Sequence, residues 1–296
     1  KGTIDRPFYF NEPFWTVDTL FYSEIFNAYP KFVFYLFQTI NWYLYNQSTG
    51  VPSLTSSVIE NINKYIPKYA EQVKIAEVFT LLDDRINSQK KIISNIESQI
   101  KSIKSQLFNV TTGGKRSLSD ILDEVSLKST INNQYPVVSS TVKGLVLQSE
   151  YFDKEIASNE NTGYKIITKG NIIISPQNLW MGNITFNNKF ESGIVSPSYK
   201  IFKVKESYNK LYVFELMTTT KAFYLYKTVS EQGASVVRRN LNFEAFMQLS
   251  FNIPGIKVQN KVITILYYFK DKYENEKKIL SLYVRQKQYL LDKMFI

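Results

Sequence analysis

The chain has neither cysteine nor histidine among its 296 residues. Without cysteine it can form no disulfide bond and no thiolate metal site. Without histidine it lacks a Ser-His-Asp triad, histidine acid–base chemistry and the usual zinc ligands. For an enzyme of this size these absences count against catalysis without excluding it.

Long apolar runs are also missing, since no run reaches the length that spans a membrane. The nearest candidate, residues 32–45, is interrupted by Gln38, Thr39 and Asn41. No signal peptide is evident, and the sequence starts with Lys-Gly-Thr instead of Met. That start suggests a fragment, a processed product or a trimmed chain.

Acidic residues are fewer than basic ones, 26 against 36, which gives a formal net charge of +10. The excess is uneven, because residues 1–66 carry −1 and residues 257–296 carry +5. Such a balance fits a partner with a phosphate backbone, although many basic proteins bind no nucleic acid.

A long amphipathic helical pattern occurs twice, once after Pro67 and again after Pro254, and the apolar positions of both copies keep the offset of the two prolines. Each copy follows a heptad with apolar residues at its first and fourth positions, which is the seam of a coiled coil. The first seam includes Ile75, Phe79, Leu82, Ile86, Ile93, Ile96, Ile100 and Ile103. The second includes Leu266, Phe269, Tyr273, Leu280, Tyr283 and Leu290.

One polar seam position recurs at the same level, as Gln89 in the first copy and Glu276 in the second. A polar residue there costs stability and fixes register or partner choice. About 40 residues at roughly 1.5 Å each make a rod near 60 Å long. A stretch long enough for a whole domain separates the two copies. The pattern therefore predicts two antiparallel spacer helices with a domain at each end.

Residues 110–256 have the pattern of a strand-rich domain. Short β-branched runs at 144–147, 164–167, 171–174 and 199–204 are separated by Gly and Asn turn signals. Residues 208–227 have a helical pattern. Its predicted core-facing side chains are Leu211, Phe214, Leu216, Phe223 and Leu225.

Residues 1–66 resemble only the latter half of that domain. Residues 1–4 parallel 181–184, the aromatic stretch 30–45 parallels 208–227, and 48–53 parallels 231–236. The predicted fold class is α+β, with strand-rich domains separated by two long antiparallel helices. The predicted boundaries are 1–66, 67–109, 110–256 and 257–296.

Several short motifs, in this order along the chain, resemble those of a known family. They are residues 48–54 (STGVPSL), 66–67 (IP), 71–72 (EQ), 75–76 (IA), 81–86 (LLDDRI), 139–144 (SSTVKG), 148–152 (QSEYF), 164–171 (YKIITKGN) and 175–182 (SPQNLWMG). Each is degenerate, and their order makes the match specific. The chain resembles the specificity subunit (HsdS) of Type I restriction-modification systems, with the front half of its first target-recognition domain lacking.

The resemblance implies a non-catalytic subunit that reads a bipartite site in double-stranded DNA. It implies two target-recognition domains held by spacer helices, which dock methyltransferase subunits, two in number. It also implies a restriction and translocase subunit in the full complex. S-adenosylmethionine, ATP and Mg²⁺ would then be bound by those partners, and this chain would bind no cofactor or metal. The implied location is the cytoplasm of a bacterium or archaeon.

By this resemblance, polar and basic residues in loops are the candidates for DNA contact, because phosphates attract Lys and Arg and base edges pair with polar side chains. In the complete domain they are Ser139, Ser140, Lys143, Gln177, Asn178, Trp180, Gln232, Ser235, Arg238 and Arg239. In the shortened domain they are Thr3, Arg6, Thr16, Asp18, Gln47, Ser48, Thr49 and Ser53. For Trp180, core packing is an equal alternative.

Two alternative functions stay open. The first is a DNA-modifying enzyme, which would need a carboxylate cluster or a glycine-rich cofactor loop, and the sequence has neither in recognisable form. The second is a truncated or silent specificity cassette that acts only as a coiled-coil adaptor.

Overall fold

The computed structural model describes residues 3–16, 20–107, 113–141, 144–151, 160–232 and 239–295. The α-helices are α1 (Pro30–Gln38), α2 (Ser56–Glu60), α3 (Tyr69–Leu107), α4 (Leu118–Ile121), α5 (Gln148–Tyr151), α6 (Lys210–Met217), α7 (Thr220–Thr228), α8 (Phe243–Gln248) and α9 (Ile256–Met294). The strands are β1 (Gly114–Ser117), β2 (Leu122–Val125), β3 (Val138–Thr141), β4 (Gly144–Leu147), β5 (Lys165–Thr168), β6 (Ile172–Ile174), β7 (Ile184–Phe186), β8 (Ser192–Val195), β9 (Lys200–Val204), β10 (Ser230–Gln232), β11 (Arg239–Leu241) and β12 (Ser250–Ile253).

The chain divides into two compact units, and each long helix contributes to both. The first unit comprises Lys1–Ile96 with Lys272–Ile296, and the second comprises Glu97–Asp271.

The core of the first unit lies where α1 packs on the first turns of α3 and the last turns of α9. Phe32 of α1, Phe79 of α3 and Leu291 of α9 are each 3% exposed or less. The described residues before α1 form neither helix nor strand, and they expose aromatic rings, including Trp15 at 96%.

The second unit contains a four-stranded antiparallel sheet in the order β2-β9-β6-β7. Its central strands β6 and β9 are apolar on both faces, because one face packs on helices and the other on β3, β4 and β5. Ile172 and Phe202 therefore join the core with α6, α7 and α8, while Ile173 and Ile201 join a second cluster with Val138. Residues Ile100 and Ile103 of α3 and Leu266 of α9 pack against the first of these cores.

In the first unit, α3 and α9 run antiparallel. Asp83 precedes Gln89 along α3, whereas their partners Lys287 and Glu276 occur in the reverse order along α9. Gln89 Nε2 donates to the backbone carbonyl of Glu276 at 3.1 Å and to its carboxylate. The predicted α+β class with two long antiparallel helices is confirmed.

Burial along α3 follows the heptad. Ile75, Phe79, Leu82, Ile86, Gln89, Ile96 and Leu107 are buried, and Ile93, Ile100 and Ile103 are half-buried. On α9, Leu266 is buried, and Phe269, Tyr273, Leu280, Tyr283 and Leu290 are half-buried. The seam shifts near the C-terminus, since Leu291 is 3% exposed and Met294 is 36% exposed.

A buried glutamine repeats near the start of each long helix. Gln72 Nε2 donates to the Pro67 carbonyl at 2.8 Å, and Gln259 Nε2 donates to the Pro254 carbonyl at the same distance. The Oε1 atoms accept the backbone N–H of Tyr29 and of Asn209, both at 2.8 Å. The two glutamines are 2% and 1% exposed. Each therefore ties its long helix to the residue before α1 or α6.

The single helix predicted over residues 208–227 is wrong in detail, because two helices, α6 and α7, occupy this stretch. Thr218 and Thr219 cause the break, since their hydroxyls donate to the carbonyls of Glu215 and Leu216, and Thr219 then caps α7. The predicted core-facing residues do contact the core, since Leu216 is buried and Leu211, Phe214, Phe223 and Leu225 are half-buried and pack against it. Tyr212, Val213, Met217, Ala222 and Tyr226, which the pattern did not single out, are buried in the same core.

The stretch 30–45 divides in the same way into α1 and a 3₁₀ helix at Trp42–Tyr45. Thr39 donates to the Leu36 carbonyl at 2.8 Å, as Thr219 does to that of Leu216.

Candidate nucleic-acid interface

In the second unit, the loop between β6 and β7 is closed by its own backbone. Asn183 N–H donates to the Asn178 carbonyl at 3.2 Å, and Ser175 N–H donates to the Asn183 carbonyl at 3.1 Å. A 3₁₀ turn, Leu179–Met181, ends at Gly182, whose φ of 97° suits glycine. Leu179 anchors the turn in the core with no exposure. This closure leaves Gln177 exposed and Trp180 half-buried.

The antiparallel pair β10–β11 packs beside this loop through Arg239. The Arg239 backbone N–H donates to the Gln177 carbonyl at 3.1 Å, and its guanidinium lies 4.9 Å from the Trp180 ring centroid. Arg239 Nη1 also donates to the Ser230 carbonyl at 3.3 Å, while exposed Gln232 pairs with Arg239 across the strands. The fold thus brings together residues that are far apart in the sequence.

Three polar atoms in this cluster, Asn178 Oδ1, Trp180 Nε1 and Arg239 Nε, are shielded from solvent and find no hydrogen-bond partner within the described part of the chain. Buried polar groups normally have partners, so one acceptor and two donors left over are unusual. We call Gln177, Asn178, Trp180, Gln232 and Arg239 the polar cluster.

Ser139 and Ser140 lie on β3, which is hydrogen-bonded to β4. Ser140 is only 5% exposed, and its hydroxyl donates to Asn183 Oδ1 at 2.9 Å and lies 3.0 Å from Thr185 Oγ1. Its position makes it a brace between β3 and the loop that carries the polar cluster, not an exposed contact. Ser139 is half-buried.

Four predicted contact residues, Lys143, Ser235, Arg238 and Asp18, lie outside the described residues.

The candidates in the first unit are spread over two segments. Thr3 and Arg6 are exposed and Thr16 is half-buried. In the second segment, Gln47 and Thr49 are exposed and Ser48 and Ser53 are half-buried.

Asn46 holds this second segment in a closed loop, and the sequence argument missed it. Its Oδ1 accepts the N–H groups of Ser48 and Ser53 at 3.1 and 2.9 Å, and its Nδ2 donates to the Ser48 carbonyl. Asn183, which accepts the Ser140 hydroxyl, was also missed. The signal in both cases was an Asn at a loop border, where its side chain can replace backbone partners.

Burial raises the pKa of Tyr199, which packs beside β3, and a hydrogen bond with the Ser140 backbone acts in the opposite direction. The phenol near the brace is therefore neutral at physiological pH. In the part of the chain that the structure describes, no group of three or more His, Cys, Asp or Glu could hold a metal ion. None of the described helices has the length and apolarity to cross a membrane.

Part of this chain is similar in sequence to known proteins. Residues 1–98 match the family model described as Type I restriction modification DNA specificity domain. The specificity subunit of the Type I restriction enzyme HindI from Haemophilus influenzae is 26% identical over 165 residues. That stretch covers 53% of this chain and 35% of the relative, so the match spans about a third of the relative's length.

Solved structures share the fold. The S subunit of a Type I restriction-modification system from M. genitalium aligns over 90% of this chain and 72% of its own, with 15% identity and a TM-score of 0.52. A chain from a structure that concerns complex assembly and conformational transition of the type I R-M system covers 90% and 71%, with 15% identity and a TM-score of 0.55. The specificity-domain match is confined to residues 1–98, and the solved structures show that this chain is similar in fold to Type I specificity (HsdS) subunits.

Proposed function

We propose that this chain reads a bipartite sequence in duplex DNA and docks two methyltransferase subunits, which supply the S-adenosylmethionine chemistry. The proposed readers are residues 1–66 and 110–256, and residues 67–109 and 257–296 are the proposed spacers that set the gap between half-sites. A restriction and translocase subunit completes the proposed complex.

The observation that carries DNA reading is the polar cluster. Its exposed amides, Gln177 and Gln232, lie beside the half-buried guanidinium of Arg239, and these groups match the partners that base edges and phosphates present. Arg239 is the sharpest member, because stacking on Trp180 and the hydrogen bond from Nη1 to the Ser230 carbonyl hold its half-buried guanidinium in one orientation. Among the remaining candidates, Gln177 and Gln232 flank it, and Lys143, Ser235, Arg238, Ser139 and the polar residues of the first unit extend the proposed surface.

The test of DNA reading is the recognised sequence itself. The complex reconstituted with methyltransferase subunits should methylate one bipartite motif, which sequencing of modified adenines in host DNA identifies. Arg239→Ala should weaken binding to that motif by about 10- to 100-fold if Arg239 contacts a base, and should relax sequence choice at one position. If it contacts a phosphate, all sequences should weaken alike and the salt dependence should fall by about one unit of slope.

Lys203→Ala is the matched control, because it removes one exposed positive charge from β9, outside the polar cluster. Equal binding by the wild-type complex to all duplex sequences would refute the proposal. Equal effects of the two substitutions would remove Arg239 from it.

The observation that supports two docking sites is a repeated exposed apolar pair on the long helices. Val78 and Leu81 of α3 are 41% and 64% exposed, and their counterparts in the second copy, Ile265 and Tyr268 of α9, are 42% and 62% exposed. Exposed apolar side chains that recur at the same repeat position indicate one type of partner bound twice.

Leu81→Asp and Tyr268→Asp should each remove one methyltransferase subunit from the complex, and the double variant should remove both. Native mass spectrometry counts the subunits directly. Asn87→Asp, a change at an exposed position of α3 outside the apolar pair, is the control and should leave the count unchanged. Full occupancy in the double variant would exclude these docking sites.

A further inference from the structure

The short helix that packs on the long helices occurs in both units, and one of its buried positions differs in chemistry. Helices α1 and α6 correspond at a constant spacing, since Phe32, Val33 and Leu36 match Tyr212, Val213 and Leu216 and all six are buried. At the same spacing, Tyr35 of α1 corresponds to Glu215 of α6. Both are buried, with 3% and 0% exposure.

In the first unit, the carboxylate belongs to a long helix. The Tyr35 hydroxyl donates to Asp83 Oδ2 of α3 at 3.0 Å. Lys287 of α9 donates to Asp83 Oδ1 at 2.7 Å, and its Nζ lies 5.2 Å from the centre of the Tyr35 ring. Burial raises the pKa of Tyr35, so its hydroxyl remains a donor at physiological pH.

In the second unit, the carboxylate belongs to the short helix. Glu215 forms ion pairs with Lys270 of α9 and, at 3.1 Å, with Lys104 of α3. Lys104 also donates to Thr218 Oγ1 at 3.0 Å. Lys270 is the counterpart of Asp83 at the offset that relates Pro67 to Pro254, so the two long helices carry opposite charges at equivalent positions.

We propose that these two sets of contacts, Tyr35–Asp83–Lys287 and Glu215–Lys270–Lys104, are specificity contacts. They make each short helix fit only its own position on the long helices. We call Tyr35 and Glu215 the keys, and Asp83 and Lys270 the sockets. The rejected partner is the other short helix, whether from the same chain or from a second copy of it.

The physical reason is the cost of the mismatched pairs. Glu215 placed against the Asp83 socket would bring two carboxylates together at a half-buried position. Tyr35 placed against the Lys270 socket would leave Lys270 and Lys104 without a carboxylate. Like charges brought together, or a buried charge without its partner, penalise the wrong arrangement far more than the correct pairs stabilise the right one. The apolar residues of α1 and α6 match closely, so they cannot supply this discrimination.

The test exchanges keys and sockets in the full chain. The double variant Tyr35→Glu/Glu215→Tyr exchanges the keys alone. The quadruple variant adds Asp83→Lys and Lys270→Asp, which exchanges the sockets as well. Both variants carry the same change of side-chain volume on α1 and α6, so their difference reports the charge match. Hydrogen–deuterium exchange of peptides that cover α1 and α6 measures each position separately.

In the double variant, the hydrogen-exchange protection factors of both short helices should fall by about a hundredfold or more, which is the effect of breaking a buried ionic contact. The quadruple variant should recover most of it. If the quadruple variant is no better protected than the double variant, packing alone decides the fit and the proposal fails.

Variants confined to the first unit test the proposal even if the double variant does not fold. Tyr35→Glu alone should expose α1 to exchange while α6 keeps its protection, and addition of Asp83→Lys should restore α1. Protection of α1 that is unchanged in Tyr35→Glu, or lost equally in both variants, would overturn the proposal. DNA binding enters none of these measurements, so their outcome is independent of the proposed function.

Discussion

The repeated buried glutamine allows a quantitative prediction, because the same change can be made in both units. Gln72→Met and Gln259→Met keep the length of the side chain and remove its polar atoms. Each change leaves one buried carbonyl, of Pro67 or Pro254, and one backbone N–H, of Tyr29 or Asn209, without its partner.

The expected cost follows from these two orphaned groups. An unsatisfied buried donor or acceptor costs about 1–3 kcal/mol, so each variant should lose about 2–5 kcal/mol of unfolding free energy. Because the geometry is the same in the two units, the two losses should agree within about 1 kcal/mol. Urea unfolding followed by circular dichroism gives the totals, and hydrogen exchange at residues 29–33 and 209–213 shows that the loss is local.

Gln286→Met is the control, since Gln286 is exposed on α9, and it should change the unfolding free energy by less than about 0.5 kcal/mol. Gln259→Glu adds a test of the donor. Its carboxyl can donate to Pro254 only when protonated, so its deficit should narrow as the pH falls toward about 5. A loss below about 0.5 kcal/mol in either Met variant would refute the claim that these bonds fasten the long helices.

Three further outcomes are expected. Gln89→Leu alone should destabilise the helix pair by about 1–3 kcal/mol, because it leaves the half-buried Glu276 carboxylate without its donor. The double variant Gln89→Leu/Glu276→Leu should recover this loss or exceed wild-type stability in thermal unfolding. Phe79→Ala should cost about 3–5 kcal/mol, since Phe79 has no exposure and fills the core beneath α1, and a cost under about 1 kcal/mol in urea titration would contradict that packing. Gly113→Ala should destabilise the second unit by more than about 1 kcal/mol, because φ is 116° and a Cβ would lie 2.2 Å from the Ile253 carbonyl oxygen. Limited proteolysis should therefore cleave this variant faster than wild type, whereas Gly50→Ala, the control with open space around it, should be cleaved at the wild-type rate.

The long helices could be predicted from sequence because their pattern is periodic and extends over many turns. The heptad from Ile75 to Leu107 gives the buried face of α3, and the recurrence of Gln89 at Glu276 anticipates a contact that the structure contains. Periodicity over a long stretch averages out local exceptions.

The short helices were harder to predict, because a single hydroxyl can end a helix. Thr219 divides the stretch 208–227 into α6 and α7, and the most deeply buried positions of α7, Ala222 and Tyr226, are not among the predicted core residues. Helix propensity gives no warning, since Thr is tolerated inside helices as well as at their ends.

The candidate interface shows the same limit. Arg239 and Gln177 could be named from their residue types, but their contact depends on how β10 and β11 pack on the loop after β6. Ser140 looked equivalent to Ser139 in sequence, and only the bonds to Asn183 and Thr185 distinguish a brace from a surface residue. Exposure of a polar side chain is a property of tertiary packing, which local sequence does not encode.

The contact between Gln89 and Glu276 has a consequence for how such a chain could arise and persist. These two residues occupy the same position of the repeat, so an antiparallel pair formed by two second copies would place one Glu276 against another. Two neighbouring carboxylates repel, whereas an amide facing a carboxylate attracts. A duplicated ancestor with glutamate in both halves would have carried that repulsion in its middle, and one exchange to glutamine would have relieved it and committed the halves to a single polypeptide.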